Sequence, residues 1–491
     1  MPAAAPTPTG EIPALSTPDA PVKVAPLITV LVVSAFVMIL NETLLSVALP
    51  VLMDDLSITA VTAQWLSTGF MLTMAVVIPT TGFLMSRFTA RTVFTAAMLL
   101  FLAGTTIAMI APTFSILLGG RVVQAAGTAM VLPLLMTTIL ALVPLRNRGF
   151  VMGLVGVVIS AAPALGPSIS GFILGHWTWH HLFAMMLPIV VVALVVGLVF
   201  MRNYAEPRRV GLDVLSVILS ALGFGGLIYA LASISAVVEG EARLVPLLAG
   251  GLGVAALAVF SARQIRRRSR GREPLLDLRP LTVRPFLVSV LVILLAFSTM
   301  LGTVTALPLF MTKGLGISSF EVGLALLPGA AASGLLGPLI GSLYDRVGPR
   351  PLVVPGIALM AAVCWLEVLL FGESTTTALV VALNVPLGIG MALVMTPLLA
   401  LSLGALPRSL YGHGSAILNT LQQLAGAFGT AVFIAMLSLG AMLASERGAS
   451  AAAAQAHGVL WAFAMGGVLC TIGVVLATTL RRQDGEVAEA A

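Results

Sequence analysis

Charge is what this chain has least of. Asp, Glu, Lys and Arg make up 9% of its 491 residues, too few to solvate the surface of a water-soluble domain of that length. Lysine is nearly missing: Lys23 and Lys313 stand against 23 arginines. Neither lysine closes a GxxxxGK loop, so a phosphate-cradling nucleotide motor is excluded. The two cysteines, Cys364 and Cys470, fall inside apolar runs and give no disulfide framework. Histidine is scarce, and three of the five share the stretch GHWTWHHLF as His176, His180 and His181. Too few other ligands converge there for a metal, and Trp177 and Trp179 suit an interfacial anchor instead. No enzyme chemistry, cofactor or metal is expected.

What the chain has is oil. Hydrophobic residues make up 59% and the mean hydropathy is +1.10. Runs long enough to cross about 30 Å of hydrocarbon recur along almost the whole length. Fourteen are expected, near 27–49, 62–85, 93–111, 114–143, 149–174, 182–201, 212–235, 244–262, 285–311, 321–343, 352–371, 376–400, 412–442 and 458–480. The fold class is therefore an all-α polytopic membrane protein. Residues 1–26, rich in Pro, Ala and Thr, read as a disordered tail, and 481–491 as a short polar one. Placing the N-terminus inside puts 21 of the 25 basic residues on the cytoplasmic side, as the excess of arginine in cytoplasmic loops requires. Both termini are then cytoplasmic in a bacterial plasma membrane. The basic stretch RQIRRRSRGREPLLDLRP faces anionic lipid headgroups in this reading, and no nucleic acid is needed to explain it.

Internal repeats set the architecture. VALPVLMDDLSIT (47–59) matches TALPLFMTKGLGIS (305–318), with Pro50 and Pro308 separated by 258 residues; GFLMSRFTAR (82–91) matches GSLYDRVGPR (341–350) at 259. AGTAMVLPLL resembles GIGMALVMTPLL at a similar spacing. Parallel halves of this kind hold a substrate near the membrane midplane between them. The N-terminal half is 27–205 and the C-terminal half 271–480; the pair of spans in 206–270 has no counterpart and reads as an inserted hairpin. Asp213 opens its first span as a helix cap.

Several stretches resemble the major facilitator superfamily, within it the fourteen-helix drug:proton antiporter branch, and most closely lincomycin-resistance-type exporters. LNETLLSVALP resembles the branch's first-helix motif, with Asn41 in its Asp place and Glu42 following. LLGGRVVQAAGTA resembles the fourth-helix motif, carrying Arg121, Gln124 and Gly127. GLVGVVISAAPALGPSISG resembles the antiporter helix, with Gly153, Pro163, Gly166, Pro167 and Gly171. Gly82, Arg87 and Arg91 keep part of the first gating-loop motif, where Ser86 replaces an Asp; Gly341, Asp345, Arg346, Gly348 and Arg350 keep the second whole. NTLQQLAGAFG resembles the thirteenth helix, with Gln422 where arginine is common. The resemblance implies a 6 + 2 + 6 fold and secondary active export of amphipathic drugs by proton antiport, with lincosamide-like or other antibiotics as candidate cargo. An uptake symporter or a lipid-moving facilitator of the same fold stays open beside it.

Glu42 is the residue that needs explaining. A lone carboxylate at the centre of a membrane helix costs about 2.5–3.5 kcal/mol on insertion scales. With span 1 ending near Pro50, Glu42 lies about 12 Å below the outer face, and Arg121, counted from Phe114, about 10 Å below it. The two charges share one stratum and can offset each other's desolvation, either directly or through water. Burial favours the neutral acid and a nearby guanidinium favours the carboxylate, so alternating exposure could load and unload a proton. Proton coupling is therefore expected from Glu42, Asn41, Arg121 and Gln124. Candidate cavity residues are Gln64, Trp65, Glu367, Asn384, Asn419, Gln422 and Gln423, with snorkelling to the outer surface the main alternative for Glu367. The expected partners are membrane lipids, protons and small amphipathic substrates, in a monomer.

Overall fold

A computed structural model describes residues 24–58, 60–144, 147–201, 211, 213–234 and 244–480. Both tails lie outside these residues, as do Lys23, Arg146, Arg202, Arg208, Arg209, Arg243, Arg481 and Arg482. All regular structure among the described residues is helical. In hydrocarbon no water is at hand to satisfy backbone N–H and C=O groups, so a segment must satisfy its own.

The N-terminal half comprises α1 (Val24–Asp55), α2 (Ala60–Arg87), α3 (Ala90–Met109), α4 (Phe114–Leu142), α5 (Arg148–His176), the short α6 (His180–Ala184) and α7 (Met186–Phe200). The inserted hairpin is α8 (Val214–Ala232) and α9 (Leu244–Ser269). The C-terminal half holds α10 (Arg284–Lys313), α11 (Ser319–Val347), α12 (Arg350–Leu370), α13 (Thr377–Gly404), α14 (Tyr411–Glu446) and α15 (Ala451–Thr478). Thirteen described stretches are long and apolar enough to cross a membrane. The 29-residue α5 is a further helix of crossing length.

Boundaries move in ways the physics explains. The first helix does not end near Pro50 but continues to Asp55. The expected span at 182–201 is broken at Met185, separating the single turn and a half of α6 from α7. Prolines sit within other helices as well, among them Pro79, Pro133 and Pro308. Each removes one ladder hydrogen bond, a loss that packing against neighbouring helices tolerates in a membrane.

Within the N-terminal half α1 packs on α5 and α3 on α4; within the C-terminal half α10 packs on α14 and α12 on α15. The halves meet along two seams, α5 with α11 and α2 with α14. The α8–α9 hairpin packs on itself and lays α8 over α2 and α14, beside the second seam. A strap from α9 to α10 fixes it there. Gln264 of α9 accepts hydrogen bonds from the backbone N–H of Leu275 (2.9 Å) and Leu276 (3.5 Å), both buried. Further on, Asp277 pairs with Arg268 (3.0 Å) and Arg279 (2.9 Å), and its N–H donates to Nδ1 of His413 at the start of α14. Partial burial opposes ionisation of Asp277, but its hydrogen bonds from Arg279 and the charge of Arg268 outweigh that and hold its carboxyl below the usual range.

Asp213 caps α8 as expected, accepting from the Ser216 N–H at 3.4 Å. It also takes ion pairs from Arg263 (3.0 Å) and Arg267 (3.1 Å) of α9. Burial works against its charge; the hydrogen bonds from Arg263 and Ser216 and the nearby Arg267 prevail, bringing the carboxyl down to about 2.

The two ends of the molecule differ. At the face where α1 begins and α15 ends, α5 and α11 are in backbone contact. A Cβ added at Gly149 or Gly153 would strike the backbone of Gly341 or Gly337, so only glycine permits this approach. At the far end of α5, a Cβ at Gly171 or Gly175 would meet nothing within 4 Å. The close glycine contact between α5 and α11 thus lies at the terminal face.

Candidate functional site: a buried arginine beside a membrane acid

Arg121 is fully buried in α4 at 0% exposure. Its Nη1 donates to Oδ1 of Asn41 at 2.8 Å and to Oε1 of Gln124, one turn on, at 3.1 Å. Gln124 in turn donates Nε2 to Thr105 of α3 at 2.8 Å, and Thr105 donates to the Phe101 carbonyl at 2.6 Å. The guanidinium carbon lies 4.1 Å from the ring centroid of Phe70 on α2, a cation–π contact strengthened by exclusion of water. One side chain thus gathers α1, α2, α3 and α4. Helical spacing is what allows it: Arg121 and Gln124, three apart, share a face of α4.

Of the two possible arrangements for Glu42 and Arg121, direct contact is not the one adopted. Arg121's ion-pair-like partner is the neutral Asn41, and no salt bridge joins it to Glu42. The Nε and Nη2 of Arg121 have no hydrogen-bond partner among the described residues. The reason lies in helix geometry, for successive side chains point about 100° apart. Asn41 points at α4, while Thr43, two residues on, reaches Ala162 of α5 (3.5 Å). Glu42 lies between them, on the partly exposed stripe of α1 that also holds Phe36, Ile39 and Leu49. The depth estimate changes with the longer α1: Glu42 sits 13 residues from Asp55, about 20 Å along the axis. It still shares a level with Arg121, as the Asn41 bond requires.

The expected cavity polars do not gather into one site. Glu367 is 1% exposed, so it neither snorkels to the outer surface nor faces the space between the halves. The short α12 ends under Phe371, which stacks on Phe310 (5.8 Å between centroids) and meets Phe463 edge-on (5.7 Å), and these rings close it from water. Asn384 lies against Gly329 of α11, where any added Cβ would collide with it. Asn419 donates back to the Ser415 carbonyl of its own helix at 2.8 Å, and Gln422 is buried. Among the candidates whose side chains are described, Gln423 reaches across the halves, with Nε2 3.4 Å from Sδ of Met74 on α2. Trp65 stacks on Tyr229 of α8 at 6.0 Å, so it faces the inserted hairpin. The side chains of Gln64, Pro163 and Pro167 lie outside the described residues. The larger described cavity, about 380 Å³, is at the far end between Ile317, Glu321, Leu324, Ala325 and Thr377, and holds none of these candidates.

At the terminal face the two gating loops differ as their sequences do. Oδ1 of Asp345, near the end of α11, accepts the N–H of Gly149 at 3.1 Å in the first turn of α5, where a carboxylate meets the positive end of the helix dipole. Its N-terminal counterpart Ser86 donates instead to the Gly82 carbonyl of its own helix at 2.9 Å. Sequence reasoning missed Thr105 and Phe70 as partners of the arginine; neither has a spacing signal, because both come from other helices. It also missed His413, wedged between the strap and Gly82.

Two parallel helical halves meeting along paired seams, with a charge held inside one of them, define a polytopic membrane transporter. Comparison with known proteins agrees. The sequence profile of the Major Facilitator Superfamily matches residues 31–213 and 212–430. The chain is 38% identical to the lincomycin resistance protein LmrB of Bacillus subtilis over 466 residues, covering 94% of this chain and 96% of that one. It is 26% identical to the multidrug efflux pump LfrA of Mycolicibacterium smegmatis over 429 residues, covering 85% and 81%. Among solved structures it is similar to the proton:xylose symporter XylE, at TM-score 0.64 and 14% identity, covering 92% and 94%. The human organic anion transporter MFSD10 gives 0.65 at 15%, covering 93% and 100%. The chain belongs to the Major Facilitator Superfamily, a family of transporters and not of enzymes, and is a multi-pass protein of the bacterial plasma membrane.

Proposed function

We propose that this protein exports amphipathic drugs across the plasma membrane in exchange for protons, through fourteen crossings with both termini cytoplasmic. The observation that carries the reading is the hydrogen bond from Arg121 to Asn41, which leaves Glu42 next door near the guanidinium but without a salt bridge to it, on a partly exposed stripe. The relatives named for lincomycin and multidrug resistance support a drug as cargo. In this orientation the closed terminal face is cytoplasmic and the structure opens outward. Glu42 takes a proton from outside water in this shape. When the halves rock and the outer end closes, Glu42 loses that water and comes within reach of the unpartnered Nε and Nη2 of Arg121. Those donors favour the carboxylate, and the proton leaves inward. Asn41, Gln124 and Thr105 hold the guanidinium in place throughout. Asp345 on the N–H of Gly149 latches the cytoplasmic end until cargo and proton have bound.

The test is efflux of lincomycin and of the fluorescent cation ethidium from cells, with and without a protonophore. Wild-type efflux should collapse with the protonophore, and Glu42→Gln should abolish it while the variant still folds and reaches the membrane. Uptake in place of efflux would select the symporter reading, and efflux indifferent to the proton gradient would remove the antiport mechanism.

A further inference from the structure

Nine of the eleven acids among the described residues are exposed or paired with arginines. Among the described residues, Asp54, Asp55, Glu273, Glu321, Asp345, Glu373 and Glu446 are exposed, and Asp213 and Asp277 are paired with arginines. Two remain, Glu42 in the N-terminal half and Glu367 in the other. Glu367 is the more extreme, for both its oxygens are buried and neither has a hydrogen-bond partner.

Its surroundings supply no cation. The Cys470 thiol of α15 is close enough to act on it electrostatically, and Cys364 stands one turn below it on α12. No residue of α13 ionises, and those of α10, Arg284 and Lys313, occupy its two ends. His457 of α15 lies away in the far-end groove with Arg447. Phe310, Phe371 and Phe463 close the site toward the far end. An ionised carboxylate with neither cation nor donor in such a place costs several kcal/mol. The group is therefore carried as the neutral acid in this shape. A Met or Gln would fill the same volume at less cost, so an acid here points to acid chemistry.

Its connections lead to the middle of the C-terminal half. The Cys470 thiol donates to Oγ1 of Thr299 on α10 at 3.5 Å. Thr299 follows Asn41 by 258 residues, the offset that separates Pro50 from Pro308. Glu367 thus reaches, through one thiol, the repeat counterpart of the residue that holds Arg121.

We propose that Glu367 is a second proton-binding carboxyl of the transport cycle, which exchanges its proton only when the α12–α15 contact opens. The inference rests on the proton-antiport reading and adds to it a site in the other half. Removing the proton without opening the contact would strand a charge, so deprotonation drives α12 and α15 apart.

The chain's own two cysteines report that opening. The experiment is maleimide labelling of Cys364 and Cys470 in membranes, comparing wild type with Glu367→Gln as pH rises from about 6 to about 9. Dividing the two rates removes the pH dependence the thiols share in both proteins; the charge of Glu367 near Cys364 disfavours the thiolate and slows labelling of the wild type, so it cannot produce the expected rise. The ratio should rise by up to about tenfold for each pH unit, as the ionised share of one acid does below its pKa. A ratio flat with pH overturns the proposal whatever efflux does. Failure of the antiport reading would show elsewhere, as wild-type efflux that ignores the protonophore. Should Glu367→Gln fail to fold, the volume-matched Glu367→Met takes its place.

Discussion

At the scale of single residues, the account turns on Asn41. It supplies the short hydrogen bond to a fully buried guanidinium, at 2.8 Å. Asn41→Leu should destabilise the protein by about 2 kcal/mol, the worth of a buried hydrogen bond to a charged group, seen as a lower midpoint in a thermal melt of purified protein. Asn41→Asp should do the reverse to the melt and harm transport, because a carboxylate there would hold Arg121 permanently and leave Glu42 no cation to turn to. Equal export by Asn41→Asp and wild type would contradict that division of labour. The sequence made Glu42 and Arg121 legible, since charges in apolar runs stand out and helical rise places both at one depth. It could not say which neighbour the arginine chooses. That depends on the rotation of α1, a matter of packing against α5 at Thr43, and a difference of one residue turns a side chain by about 100°. Glu367 was misread for a related reason: counting residues to the end of α12 puts it near water, whereas Phe371 and its neighbours cover that end.

At the scale of elements, the inserted hairpin is held by its ends. Asp213 joins the start of α8 to Arg263 and Arg267 of α9, and Gln264 joins α9 to the strap. With its carboxyl held near 2, against about 3.9 in an unfolded chain, Asp213 contributes stability that is present above about pH 4 and is lost as pH falls from about 4 to about 2. Its arginines are partly solvated, so the contribution is about 1 kcal/mol. Asp213→Asn should lower the melting midpoint at neutral pH and converge on wild type near pH 2; a constant gap across that range would mean the charge plays no part. The cap was legible from Asp213 standing before an apolar run. The arginine pairs were not, because the hairpin's closing register is fixed by helix packing and not by any local motif.

At the scale of the whole molecule, the seams follow from where small residues fall. Gly149 and Gly153 meet Gly341 and Gly337 with no room for a side chain. Gly153→Leu should force that seam apart and make the ends of α5 and α11 at that face reachable by thiol reagents at newly placed cysteines; unchanged protection would refute the closed terminal face. The most direct measurement of the central claim is proton movement in proteoliposomes under an imposed lincomycin gradient. The account predicts a counterflow of protons in the wild type and none in Glu42→Gln, with drug-for-drug exchange surviving in the variant. Proton counterflow of wild-type size in Glu42→Gln would contradict it.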